Sequence, residues 1–151
     1  MKNELYLLSG LSRQHKAALG WFRENHGKVV GWPAPLRGGT LLACRAKGIY
    51  KPAWTEYALS LRSSIKSAYA DQEPVYDKHA GWTMKYFQEG TNPSSRDDYF
   101  TNRALLLCIR DFIPVGVLLQ QTVKPAVSYL VLGLATVESW SDGYFLLRSL
   151  H

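Results

Sequence analysis

Tyr69, Asp71 and Tyr86 are the residues whose types and spacing first suggest chemistry. Tyr69 and Asp71 follow the apolar run YALSL, and Tyr86 stands near the end of the run WTMKYF. Two rings at adjacent strand ends can sandwich a planar base, and a carboxylate between them can accept hydrogen bonds from its exocyclic amine. That is how a base-flipping pocket works, with stacking that contributes roughly 1–3 kcal/mol per base. Phe87 and Gln88 continue the same segment and would complete the pocket. Asp71 also belongs to a second pattern with Glu73 and Asp77, a set of acids of the kind that metal-dependent nucleases use. An acidic turn between strands accounts for that cluster more simply, because acids favour turns and solvent.

Two further stretches hold polar and aromatic groups that a core does not need. Lys47 to Trp54 (KGIYKPAW) is a basic turn in which Lys47 and Lys51 can meet phosphates and Tyr50 or Trp54 can wedge into a groove. Thr91 to Arg96 is a polar loop in which Asn92, Ser95 and Arg96 can enter a groove, arginine being well suited to guanine edges. The catalytic vocabulary is otherwise thin. His15, His26, His79 and His151 match no metal-ligand or general-base spacing, and neither a nucleophile elbow nor a phosphate-binding glycine loop is present. A binding module is therefore expected rather than an enzyme, with no cofactor and no metal.

Bulk properties agree with that expectation. The chain has 151 residues, with 18 Lys and Arg against 12 Asp and Glu for a net charge of +6, which favours polyanionic partners. Its length suits one domain. Cys44 and Cys108 sit in apolar runs without ligand spacing, so free buried thiols and a cytoplasmic location are expected. No apolar run reaches the ~20 residues of a membrane span, and the N-terminus does not read as a signal peptide.

The elements that must position these groups follow from periodicity. Residues 12–26 predict a helix capped by Ser12, with Ala18, Leu19 and Phe22 near one face and Gly27 at its end. Strands are predicted at 40–44, 57–61, 82–87, 115–120, 129–137 and 144–148. Tyr57, Leu59 and Leu61 should share one face, as should Trp82, Met84 and Tyr86. The last three strands are so apolar that burial on both sides is expected. A second helix is predicted from Tyr99 to Arg110, behind Asp97 and Asp98, with Pro114 blocking its extension. The class is α+β, with a curved, barrel-like sheet and flanking helices.

In order along the chain, these segments resemble an SRA (SET and RING-associated) domain, the module that reads modified cytosine by flipping it out of duplex DNA. GIYKP (48–52), EYALSL (56–61), YAD (69–71), KYFQEG (85–90), FTNRALLLC (100–108), PVGVLLQ (114–120) and GYFLLR (143–148) carry the resemblance, and the helix around Thr101, Asn102 and Arg103 is its most specific part. Residues 38–151 would form the SRA/PUA-like barrel, with residues 1–37 as a helix and lead-in packed on it. The resemblance implies a base held between Tyr69 and Tyr86 and read by Asp71, with Gln72 and Glu73 as alternatives because the tyrosine-to-acid spacing is one residue short. Asn102 and Arg103 would hold the helix and pocket loops. The short finger loop and the missing Tyr-Asp-Gly tripeptide look more like the prokaryotic branch, in which the reader is fused to or partnered with a nuclease in modification-dependent restriction. The implied function is recognition of 5-methyl- or 5-hydroxymethylcytosine in duplex DNA. A small metal-dependent nuclease and an RNA- or nucleotide-binding barrel are the alternatives.

Overall fold

The computed structural model describes residues 10–64, 73–78, 81–90, 92–123 and 125–150. Helix α1 spans Arg13–Glu24 and begins where the Ser12 side chain accepts a hydrogen bond from the His15 amide. Four short strands follow: β1 (Val29–Val30), β2 (Ile49–Tyr50), β3 (Ser60–Ser63) and β4 (Val75–Tyr76). Next come β5 (Trp82–Phe87), a 3-10 helix (Pro93–Asp98), α2 (Phe100–Asp111), β6 (Val115–Thr122), β7 (Ser128–Ser141) and β8 (Tyr144–Ser149). The strands form one mixed sheet in the order β2-β3-β6-β7-β8-β5-β4, with β1 paired to β7. The β3–β6 pair is parallel and the other pairs are antiparallel.

The apolar strands β6 and β7 face two cores, as their continuous hydrophobicity predicts, whereas β8, expected to do the same, buries only Phe145 and Leu147, both on the α2 side. On β6, Val115 and Val117 join a cluster with Ala104, Leu105 and Cys108 of α2. The next residue, Leu118, joins the opposite cluster with Ala18, Leu19 and Phe22 of α1. Gly116 lies on the α1 side, where an added Cβ would stand 2.3 Å from the Phe22 ring, so the helix packs directly on the strand backbone. On β7 the alternation slips by one residue: Val131 and Leu134 face α1, while Leu132 and Ala135 face α2. Gly133, at φ 95°, stands at this slip, and the ladder shifts register opposite Val117 and Leu118. The extra residue bends β7, which then serves β6 with its first half and β8 with its second.

Several expectations need correction. The sheet is open rather than a closed barrel: among the described residues no ladder joins β2 or β3 to β4 or β5. It nonetheless curls until side chains bridge the gap, because the Tyr86 hydroxyl on β5 donates to the Arg62 carbonyl on β3 at 3.1 Å. Residues 40–44 form no strand, although Leu42 and Ala43 are buried. The third strand begins at Ser60 rather than Tyr57, so two-residue alternation does not extend back through Leu59. Leu59 consequently packs toward α1 and Leu61 toward α2. By contrast, β5 has the predicted bounds, with Trp82, Met84 and Tyr86 buried together. Helix α2 ends on Phe112 in the left-handed conformation at φ 57°, two residues before Pro114. The cysteines are free, Cys108 buried and Cys44 half-buried. No helix among the described residues is long and apolar enough to cross a membrane.

Candidate nucleic-acid interface

The junction where β3 approaches β5 sets the basic turn predicted to contact DNA against the end of β5 and the start of α2. The Lys47 ammonium lies 3.0 Å from a Glu89 carboxylate oxygen, an ion pair between residues far apart in sequence. The same ammonium stands 5.1 Å from the centre of the Phe100 ring, at the start of α2. The Arg62 Nη2 donates to the carbonyls of Cys44 and Arg45 at 3.3 and 3.2 Å, which fixes the turn leading into Lys47. Trp32 packs beneath both guanidinium groups, 4.4 Å from Arg45 and 5.6 Å from Arg62. Three cations thus crowd one turn, with an indole and one carboxylate holding them in place. Such a surface attracts phosphate.

Asn102 sets the position of Glu89. Its side-chain amide accepts from the Glu89 N–H at 2.9 Å and donates to the Glu89 carbonyl at 2.8 Å. A fully buried asparagine on α2 thereby substitutes for a strand partner where β5 has ended. The expectation that Asn102 holds a pocket loop has this geometric form. Arg103, its neighbour, donates to the Asp97 carbonyl at 2.7 Å and so ties α2 to the preceding 3-10 turn.

The predicted pocket residues divide into three groups. Tyr69, Asp71 and Gln72 lie outside the described residues, as does Thr91. Tyr86 is 5% exposed, and its ring belongs to the α2-side core, so it presents no open stacking face at the surface. Gln88 is fully buried and its amide is engaged at both ends, donating to the Asn92 carbonyl at 3.0 Å and accepting from the Trp140 indole at 2.9 Å. Phe87 is half-buried and meets Tyr144 edge-on, with centroids 5.0 Å apart. Gln88 and Phe87 therefore build the wall of the strand end.

The predicted DNA-contacting loops divide as well. Lys47 faces the junction. Tyr50 and Trp54, expected as exposed wedges, are half-buried and pack toward α1: Tyr50 because successive β2 residues point to opposite faces, Trp54 from the turn that follows. The Trp54 ring meets His15 edge-on at 5.4 Å. The Lys51 ammonium donates to the Pro52 carbonyl at 3.0 Å. The predicted finger is no extended loop: Asn92 caps a 3-10 helix that contains Ser95 and Arg96. Arg96 stands 4.7 Å from the Trp140 ring centre and pairs with Asp97 at 3.1 Å.

Sequence reading missed Trp32, Arg62, Glu89, Tyr99 and Phe100. Tyr99 and Phe100 are large apolar residues left 38% and 45% exposed, Phe100 beside Lys47, and only the fold shows that exposure. Of the acidic set, Glu73 and Asp77 are exposed and Asp71 lies outside the described residues. Among the described residues, no group of three or more potential ligands is placed to hold a metal ion. Family models, curated proteins and solved structures were all compared with the chain, and none matches it.

Proposed function

We propose that this protein binds duplex DNA and reads a modified cytosine, 5-methyl- or 5-hydroxymethylcytosine, by taking the base out of the helix. One observation carries the reading. The basic turn predicted to contact DNA meets the Tyr86–Gly90 strand end predicted to line the pocket, through the Lys47–Glu89 pair. At that junction β3, which leads into the segment holding Tyr69 and Asp71, touches Tyr86 through the Arg62 carbonyl. The net charge of +6 and the ordered resemblance to SRA domains support the same reading. On this reading Lys47, Arg45 and Arg96 meet phosphates, and the exposed Tyr99 and Phe100 lie against the opened strand. Asn102 and Gln88 keep the rim in place without touching the base. A nuclease, fused or separate, would supply cleavage.

The test is fluorescence anisotropy with matched duplexes carrying cytosine, 5-methylcytosine or 5-hydroxymethylcytosine at one position. A single small substituent in an apolar pocket discriminates by roughly 1–3 kcal/mol, or about 10–200-fold in affinity. A fluorescent base analogue opposite the modified site should brighten on binding if the cytosine leaves the stack. Equal affinity for all three duplexes would refute the reading. Cleavage of modified DNA by this chain alone with magnesium or manganese would favour the metal-dependent alternative.

A further inference from the structure

Between α1 and the turn at residues 36–40 lies an open groove of about 1020 Å³, whose lining shares no residue with the β3–β5 junction. Its walls carry Arg13, Lys16 and Arg23 from α1 and Arg37 from the turn. Glu24 is the one acid among its described lining residues. Half of the chain's net charge of +6 is therefore concentrated along one groove. Its floor is made by the half-buried Trp21 and Leu36, and a Cβ added to Gly20 or Gly38 would meet nothing within 4 Å. A hydrogen bond of 3.0 Å from the Gln14 amide to the Thr40 hydroxyl ties the two walls together, so the groove is held by the fold.

We infer that this groove binds the sugar–phosphate backbone of a nucleic acid, at a second contact independent of the modified base. The spacing of the cations favours that occupant. Residues 13, 16 and 23 recur at intervals that keep them on one side of the helix. At ~1.5 Å rise per residue they span about 15 Å along its axis. One strand of DNA carries one charge per nucleotide, and along the strand successive phosphates lie farther apart than the ~3.4 Å axial rise, so about two or three of them fit beside the row. Three of the four cations are arginines, whose planar forks suit phosphate oxygens. Trp21 on the floor offers a ring on which a sugar or base can rest. The occupant's class rests on the nucleic-acid reading above; the site does not overlap the junction.

The test replaces Arg13, Lys16 and Arg37 together by glutamine, all three being exposed. A control triple replaces Lys28, Lys78 and Lys85, exposed lysines outside the groove, and removes the same charge. Affinity for modified and unmodified duplexes is measured over a salt series. The groove variant should lose about tenfold affinity for both duplexes and should flatten the log–log salt slope by about 2–3, at ~0.9 per phosphate contact. The ratio between the two duplexes should not change. Unaltered affinity and slope would overturn the inference, as would an equal loss in the control triple. Competition by poly-glutamate as strong as by DNA of equal charge would also overturn it, in favour of an acidic protein segment. A wild-type ratio of one between modified and unmodified duplexes would instead refute base reading and leave the groove standing.

Discussion

The contact that closes the curled sheet can be tested with a double-mutant cycle at Gly48 and Tyr86. A Cβ added at Gly48 would lie 2.2 Å from the Tyr86 hydroxyl oxygen, 3.0 Å from the Arg62 carbonyl and 3.5 Å from the Tyr86 Cζ. The first distance is impossible without movement, the second is tight and the third is ordinary contact. Gly48→Ala must therefore push the Tyr86 hydroxyl away and break its 3.1 Å bond to the Arg62 carbonyl. Overpacking of this kind costs about 1–3 kcal/mol, and loss of the hydrogen bond contributes roughly 0.5–1.5 kcal/mol of that. Tyr86→Phe alone loses the hydrogen bond but removes the atom that the added methyl group would strike. In the phenylalanine background that methyl group meets only the Arg62 carbonyl closely, so Gly48→Ala should cost about 1 kcal/mol less than in wild type. Urea unfolding of the four proteins measures this coupling directly. Additive effects within about 0.3 kcal/mol would refute the claim that Gly48 exists to admit the Tyr86 hydroxyl. They would also weaken the case that β2 and β5 meet at all.

Other outcomes follow from groups elsewhere in the fold. His15 is 2% exposed, its Nε2 finds no hydrogen-bond partner among the described residues, and burial lowers its pKa to about 4. The unfolded chain takes up that proton near pH 6.5, so stability is complete above about 6.5 and falls as the pH drops toward 4. At pH 5 the loss is at most about 2 kcal/mol, or roughly 4–8 °C in Tm, and His15→Leu should abolish that part of the acid sensitivity; an unchanged pH profile would refute it. Asn102→Ala should cost about 2–4 kcal/mol by stripping the Glu89 N–H and carbonyl of their partners, and Asn102→Asp, which still accepts from the N–H but sets a buried carboxylate against the carbonyl, should cost at least as much at neutral pH. Calorimetry showing either variant within about 0.5 kcal/mol of wild type would contradict the clamp. Burial pushes the Cys108 thiol up to about 12, so maleimide at pH 8 should label Cys44 first and Cys108 only on unfolding, a sequence that mass spectrometry resolves.

Much of the scaffold is legible from local pattern alone. The Ser12 cap and the apolar stripe at Ala18, Leu19 and Phe22 specify α1, because a helix needs only its own periodicity and ends. Strict alternation over WTMKYF gives β5 and its buried face. The runs of β6 and β7 announce two cores because no polar face interrupts them. Local pattern misleads where a long-range contact decides. YALSL alternates like a strand but enters one only at Ser60, since the ladder begins where β2 and β6 supply partners. Residues 40–44 have strand composition and no strand, because the carbonyls of Thr40, Leu42 and Cys44 accept from the Leu36 N–H, the Ser60 hydroxyl and the Arg62 guanidinium instead of from a neighbouring strand.

The candidate site shows the same division more sharply. Residue type alone marks Lys47, Arg96 and the aromatic strand ends as material for binding an anion or a base, and net charge sets the sign of the partner. Sequence also points to Asn102, through the helix in which it sits. Composition does not say that Lys47 pairs with Glu89, that Arg62 and Trp32 hold its turn, or that Tyr50 and Trp54 face away from it. Those facts depend on how far the sheet curls, which the bulge at Gly133 and the approach of β3 to β5 determine. A one-residue shift in register changes which face a side chain occupies, and only the folded chain fixes register. The gathering of Arg13, Lys16, Arg23 and Arg37 into one groove is likewise tertiary, since the turn that carries Arg37 must fold back against α1 to complete it.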